Sequence, residues 1–182
     1  MLAPRIDAEG GDFAGRVILA GTFRTLEEVI IDQNEDVLKQ LDESQYEMAS
    51  QQIQELKDKL NSIANMSEET AKQTPLVGSL YAWYLKEMKQ HPIKEFLIKT
   101  DKPLLVLHGD KDVQVSIEKD FNQYQQILKD HNNATCKLYP GLNHMFMKAI
   151  YGTIVRILEE YNIPKTLDNS VLEYVAKWIL SI

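Results

Sequence analysis

Residues 103–115 read PLLVLHGDKDVQV, and residues 134–146 read ATCKLYPGLNHMF. The first opens as a buried-strand pattern and the second as a further strand, and each runs into polar residues. Leu104 to Leu107 lead into His108-Gly109-Asp110, and Ala134 to Tyr139 close on Pro140-Gly141. Apolar runs of this length closed by glycine are the pattern of parallel strands buried on both faces. Residues 16–21 (RVILAG) show the same pattern upstream. Residues 116–130 place Phe121, Tyr124, Ile127 and Leu128 at helical spacing between the second and third runs. Strands separated by helices pair in parallel through right-handed crossovers. The expected fold class is therefore α/β, with about three parallel core strands flanked by helices.

The remaining segments predict helices. Residues 1–8 end at Gly10-Gly11 as a helix tail would. Thr25 to Glu28 is a T-x-x-E capping box, and Ser44 to Glu47 and Ser170 to Glu173 are S-x-x-E boxes. Asp42 interrupts the first helix, and Ile53, Leu56, Leu60 and Ile63 then fall on one face. Residues 78–90 predict a helix that starts at Ser79, packs through Leu80, Tyr81, Trp83, Tyr84 and Met88, and stops at His91-Pro92. A further helix is expected over 149–160. The final one is expected to turn Val171, Leu172, Val175, Trp178 and Ile179 inward.

Composition excludes several classes of function. The 182 residues are 44% hydrophobic and 26% charged, as a globular core requires. No apolar run approaches the roughly 20 residues of a membrane span, and residues 1–13 lack the basic and apolar regions of a secretory signal. A cytoplasmic protein with no membrane partner is expected. The net charge is −7 with no basic stripe, so nucleic acid is not an expected partner. Residues 27–70 hold 12 acids and 3 lysines, which reads as a solvated helical face rather than a docking surface. Cys136 is alone, so no internal disulfide forms, and a reducing compartment fits. There is no glycine-rich phosphate loop, no H-E-x-x-H and no Cys/His cluster, so neither cofactor nor metal is expected.

The chemistry concentrates at two strand ends, where open α/β sheets gather functional groups. Asp112 and His144 lie 32 residues apart, enough for one helix and one strand to return the chain to the same sheet edge. A carboxylate beside an imidazole fixes its tautomer and stabilises the imidazolium, so the ring can take a proton from a nucleophile. Taken singly, such an Asp often caps a turn and such a His is often plain surface. The paired placement favours the chemical reading.

Gly109, Asp112 and Val115 fit a G-x-x-D-x-x-V pattern, and Gly141, His144 and Phe146 fit G-x-x-H-x-F. Both segments resemble the C-terminal part of a serine α/β-hydrolase, nearest the dienelactone hydrolase and acyl-peptidase-like esterases. The resemblance implies Asp112 as triad acid and His144 as base, with Asp110 two residues too early. It implies a hydrolase core at 1–24 and 98–182 and a helical lid insertion at 25–97. It makes an ester, amide or peptide the substrate of the intact enzyme, and Tyr81, Trp83, Met145 and Phe146 its expected substrate-binding residues. The lid aromatics also read as lid core.

The family's order is Ser, Asp, His, yet no G-x-S-x-G occurs in the sequence. Residues 1–6 resemble the helix just after that nucleophile. The expected chain therefore holds acid and base, no nucleophile, and negligible activity alone. RVILAG would present an open sheet edge, so a homo-oligomer joined there is expected. Two other readings are a non-catalytic α/β interaction module and a different small α/β enzyme built on His144.

Overall fold

The computed structural model describes residues 3–77, 80–99 and 101–182. The expected placements of Met1, Gly78 and Ser79 lie outside the described residues. The chain divides into two compact units, one of residues 1–23 and 93–182 and one of residues 24–92.

The first unit is built on a three-stranded parallel sheet of order β1-β4-β5, comprising β1 (Arg16–Leu19), β4 (Leu104–Gly109) and β5 (Ala134–Tyr139). Arg16 pairs with Leu104, and Leu104 with Ala134, so all three strands run in register toward one polar end. Every residue of β4 is buried, as a strand between two neighbours and two helical layers must be. Alternation sends Leu105 and Leu107 to one face, where they pack with Tyr139, Leu142, Phe146 and Val171. His108 belongs to the other face, where its ring lies 5.6 Å from that of Phe121.

Helices complete this unit. α1 (Ala3–Ala8) and α6 (Ile93–Ile98) pack together, and α6 also meets α7 (Asn122–Ile127). A π-helical turn, Ile117–Phe121, leads into α7, and α8 (Ile157–Asn162) and α9 (Asn169–Ile179) follow β5. In α9, Val171, Val175 and Trp178 share the face that packs on the sheet. Leu172 and Ile179 sit about a quarter turn round the helix and are exposed, contrary to the inward placement expected of them. Its cap also differs from the expected Ser170–Glu173 box. Asp168 is the N-cap and accepts from the Ser170 N–H at 2.8 Å, so the helix begins before Ser170 can cap it.

The second unit is mainly helical. α2 (Leu26–Leu38) starts with the expected box: Thr25 Oγ1 accepts from the Glu28 N–H, and Glu28 accepts from the Thr25 N–H at 2.8 Å. α3 (Glu43–Ala64) starts one residue before Ser44, because the Asp42 carbonyl accepts the first intrahelical bonds, so the second expected box does not form. α4 (Glu68–Gln73) and α5 (Ala82–Gln90) complete the layer, and the core is Leu60, Ile63, Ala71, Ala82 and Leu85. A short antiparallel pair not expected from sequence, β2 (Pro75–Val77) with β3 (Leu80–Tyr81), precedes α5. Among the described residues no helix is long and apolar enough to cross a membrane.

One close approach governs the polar end of the sheet. A Cβ on Gly109 would collide with the carbonyl oxygen of Leu142, and would lie 2.7 Å from that carbonyl carbon and 2.8 Å from the Asn143 oxygen. These are backbone atoms and cannot swing aside. Gly109→Ala is expected to cost about 3 kcal/mol in urea unfolding, as overpacking against fixed backbone does. An unchanged midpoint would show that the two loops separate freely.

Candidate functional site

The loops after β4 and β5 are sewn together at this contact. The Asp110 N–H donates to the Tyr139 carbonyl at 2.9 Å, and the Lys111 N–H to the Leu142 carbonyl at 2.9 Å. The Asp110 carboxylate accepts from the Gly141 N–H at 2.6 Å, so this acid is occupied in joining the loops. The chain at Gly141 has φ 76°, the left-handed region that glycine enters without strain.

Asp112 then stands at the start of the following turn with a fully buried side chain. Its Oδ1 accepts from the N–H groups of Gln114 at 2.8 Å and Val115 at 3.0 Å. Its Oδ2 lies 2.9 Å from Nδ1 of His144. The carboxylate thus meets three donors at its two oxygens. It can only accept, so Nδ1 of His144 carries the proton and Nε2 carries the lone pair. The His144 side chain is 28% exposed, so the ring reaches solvent while its carboxylate partner does not.

A second imidazole flanks the pair. His108 Nε2 lies 3.6 Å from Asp112 Oδ2, beyond a hydrogen bond, and donates instead to the Val115 carbonyl at 3.1 Å. Burial pushes its pKa below the ordinary range, against the pull of Asp112. Neutral His108 closes the wall behind the carboxylate without competing for its proton acceptor. Burial, with Asp112 and Glu160 nearby, also pushes the Tyr161 phenol up to about 12. It stays protonated and donates to the Gln114 side chain.

The histidine loop has a framework of its own. Asn143 is buried, and its Oδ1 accepts from the N–H groups of Met145 at 3.0 Å and Met147 at 3.1 Å. Its Nδ2 donates to Glu160 Oε1 at 2.7 Å. Glu160 Oε2 gathers the N–H groups of Ile150 at 3.3 Å, Tyr151 at 2.9 Å and Gly152 at 3.4 Å. Those bonds explain why the helix expected from 149 starts only in the 3₁₀ turn Ile154–Arg156: the preceding N–H groups wrap onto a carboxylate instead. Nothing in the sequence pattern marked Glu160 or joined it to Asn143. The one signal was a polar Asn set between Leu142 and the histidine in a loop of mostly apolar residues.

The other expected site residues are placed as follows. Met145 is 48% exposed beside His144. Phe146 is only 3% exposed, with its ring edge-on to Tyr139 at 6.1 Å and its backbone at φ 53°. Tyr81 is exposed in the helical unit. Trp83 packs on that unit's core, with Lys72 Nζ 4.7 Å from its ring centroid. Cys136 pairs in register with Val106, and burial pushes its thiol up to about 11, so it is not a ready nucleophile. Among the described residues no group of three or more His, Cys, Asp or Glu is arranged to hold a metal ion.

No protein-family model and no curated protein matches the chain.

Glu160 makes the site acid-sensitive. Burial opposes its charge, but the Asn143 amide and the three backbone N–H groups outweigh this and lower its pKa from 4.5 to about 2. Its contribution to folding is therefore complete above the unfolded value and is lost as pH falls toward 2. The shift corresponds to about 3 kcal/mol. Urea unfolding should show this loss between pH 5 and 2, and Glu160→Gln should remove that part of the pH dependence. An identical slope in the variant would place the acid-sensitive groups elsewhere.

Proposed function

We propose that Asp112 and His144 are the acid and base of a hydrolase of the serine α/β class, acting on an ester, amide or peptide bond. The observation that carries this reading is the 2.9 Å contact between a fully buried carboxylate and Nδ1 of a partly exposed imidazole at the carboxyl end of a parallel sheet. Asp112 holds the tautomer, and Nε2 of His144 is the atom that would accept a nucleophile's proton. The strand-end motifs quoted above support the family reading. On the same reading, the helical insertion of residues 25–97 is the lid.

The sequence offers no G-x-S-x-G, and the chain's single thiol sits protonated inside a strand. Loss of a triad nucleophile costs many powers of ten in rate. The purified chain should hydrolyse p-nitrophenyl acetate no faster than an equal concentration of free imidazole. Turnover far above that level that vanishes in His144→Ala would show that a nucleophile is present after all.

The pair itself is tested by acylation with diethyl pyrocarbonate, which reads the nucleophilicity of imidazole nitrogen. His144 should react faster than His91 and His131, and Asp112→Asn should slow it while leaving the other two unchanged. A His144 rate indifferent to Asp112→Asn would overturn the assignment.

A further inference from the structure

We infer that Asn143 and Glu160 form a positioning pair that sets the His144 imidazole against Asp112, an inference that rests on the acid–base reading above. The polar atoms of both side chains are engaged with each other and with backbone N–H groups rather than with the imidazole. Both act through the backbone of the loop that carries it.

The loop from Asn143 to Met147 reverses direction within five residues. The Asn143 N–H donates to the Met147 carbonyl and the Phe146 N–H donates to the Asn143 carbonyl, each at 2.9 Å. This tight path forces Phe146 to φ 53°, a conformation disfavoured for a residue with a bulky side chain. Such a backbone persists only where its surroundings over-determine it. Asn143 supplies the constraint by accepting from the N–H groups on both sides of Phe146, those of Met145 and Met147. His144 lies between Asn143 and Met145, so its Cα direction is fixed by the same bonds.

Asn143 must itself be held with its oxygen turned inward. An amide can flip, exchanging oxygen for nitrogen at almost no cost in shape. Glu160 prevents the flip. Its Oε1 accepts from Asn143 Nδ2 at 2.7 Å and lies 3.5 Å from Lys165 Nζ, and its Oε2 faces three backbone N–H groups. Both oxygens of residue 160 are thus required as acceptors, which an ionised carboxylate provides and a carboxamide does not. α8 is in this way tied to the orientation of a ring in a different loop.

The pairing has a definite polarity, and that makes it testable by exchange. In Asn143→Asp alone, two carboxylates face each other. In Glu160→Gln alone, an N–H group meets either Asn143 Nδ2 or the backbone donors of 150–152. In the double variant Asn143→Asp/Glu160→Gln, the Asp accepts from Met145, Met147 and the Gln amide, and the Gln oxygen takes the backbone donors. The backbone N–H groups then keep acceptors at both residues, and only the bond between residues 143 and 160 runs in the opposite direction, while the Lys165 contact is given up.

The readout is the low-field proton resonance of the His144 Nδ1–H, observed in the full ¹⁵N-labelled chain, with Asp112→Asn as the reference that removes its acceptor. The parent should show the resonance and Asp112→Asn should lose it. Asn143→Ala and both single exchange variants should lose it or move it toward the position of a solvent-exposed imidazole, while the β4 and β5 amide peaks stay in place. The double variant should recover it. If the parent shows the resonance, Asp112→Asn loses it and folded Asn143→Ala keeps it unchanged, the positioning role is wrong and the acid–base pair stands. A folded double variant without the resonance also overturns the positioning role. A parent that shows no resonance overturns both readings.

Discussion

The carbonyl of Leu142 occupies the space that a side chain at position 109 would need, and the polar end of the sheet is arranged around that encounter. Two strands in parallel register deliver their loops to the same edge, but register alone leaves those loops free to splay. Glycine at the end of β4 lets the β5 loop fold down onto it. The bonds from Asp110 to Tyr139 and from Lys111 to Leu142 then hold the two loops as one piece. Asp112 follows two residues after Asp110 on one loop and His144 two residues after Leu142 on the other, so their contact is a consequence of the closure. A side chain at 109 would push apart backbones that no rotamer change can relieve.

The second theme is where buried charge is tolerated. Asp112 and Glu160 are buried and Asp110 is half-buried, which makes an unpaired carboxylate expensive. Each is met by backbone N–H groups that the local chain path leaves without secondary-structure partners: Gly141 for Asp110, Gln114 and Val115 for Asp112, and Ile150 to Gly152 for Glu160. The same bonds that stabilise the charges also shape the turns. Three turns around one histidine are thus fixed by three acids, and only one of those acids touches the ring. His108 fits this scheme because burial keeps it neutral and it turns its proton to a carbonyl.

Much of this was legible in the sequence, for local reasons. β4 was visible because a parallel strand buried on both faces is uniformly apolar, and β1 and β5 as short strand patterns closed by glycine, although both are edge strands buried only in part; α2 was visible because Thr25 and Glu28 sit three apart at its start. The proximity of Asp112 and His144 followed from one crossover's worth of chain between two strand ends. The illegible parts depend on competition or on distance. Asp42 and Asp168 precede Ser44 and Ser170 and claim the helix starts, though either serine fits the capping pattern as well. The segment 149–153 has helical spacing, but its Ile150, Tyr151 and Gly152 N–H groups go to Glu160 and that of Ala149 goes to the Gly141 carbonyl. The Asn143–Glu160 bond joins residues whose meeting is decided by the tertiary path, and no period or motif records it. β2, β3 and α6 are too short for a hydrophobic pattern to distinguish them from loop.

The central claim is that the two strand-end loops behave as one rigid body that presents the acid and the imidazole together. Native-state hydrogen exchange of the Asp110 and Lys111 amides measures this directly, since their bonds cross from one loop to the other. They should exchange as slowly as the amides of Val106 and Leu107 in β4, opening only when the sheet unit unfolds. Exchange of Lys111 at the rate of an exposed loop, with β4 still protected, would contradict it: the loops would then part in the native state.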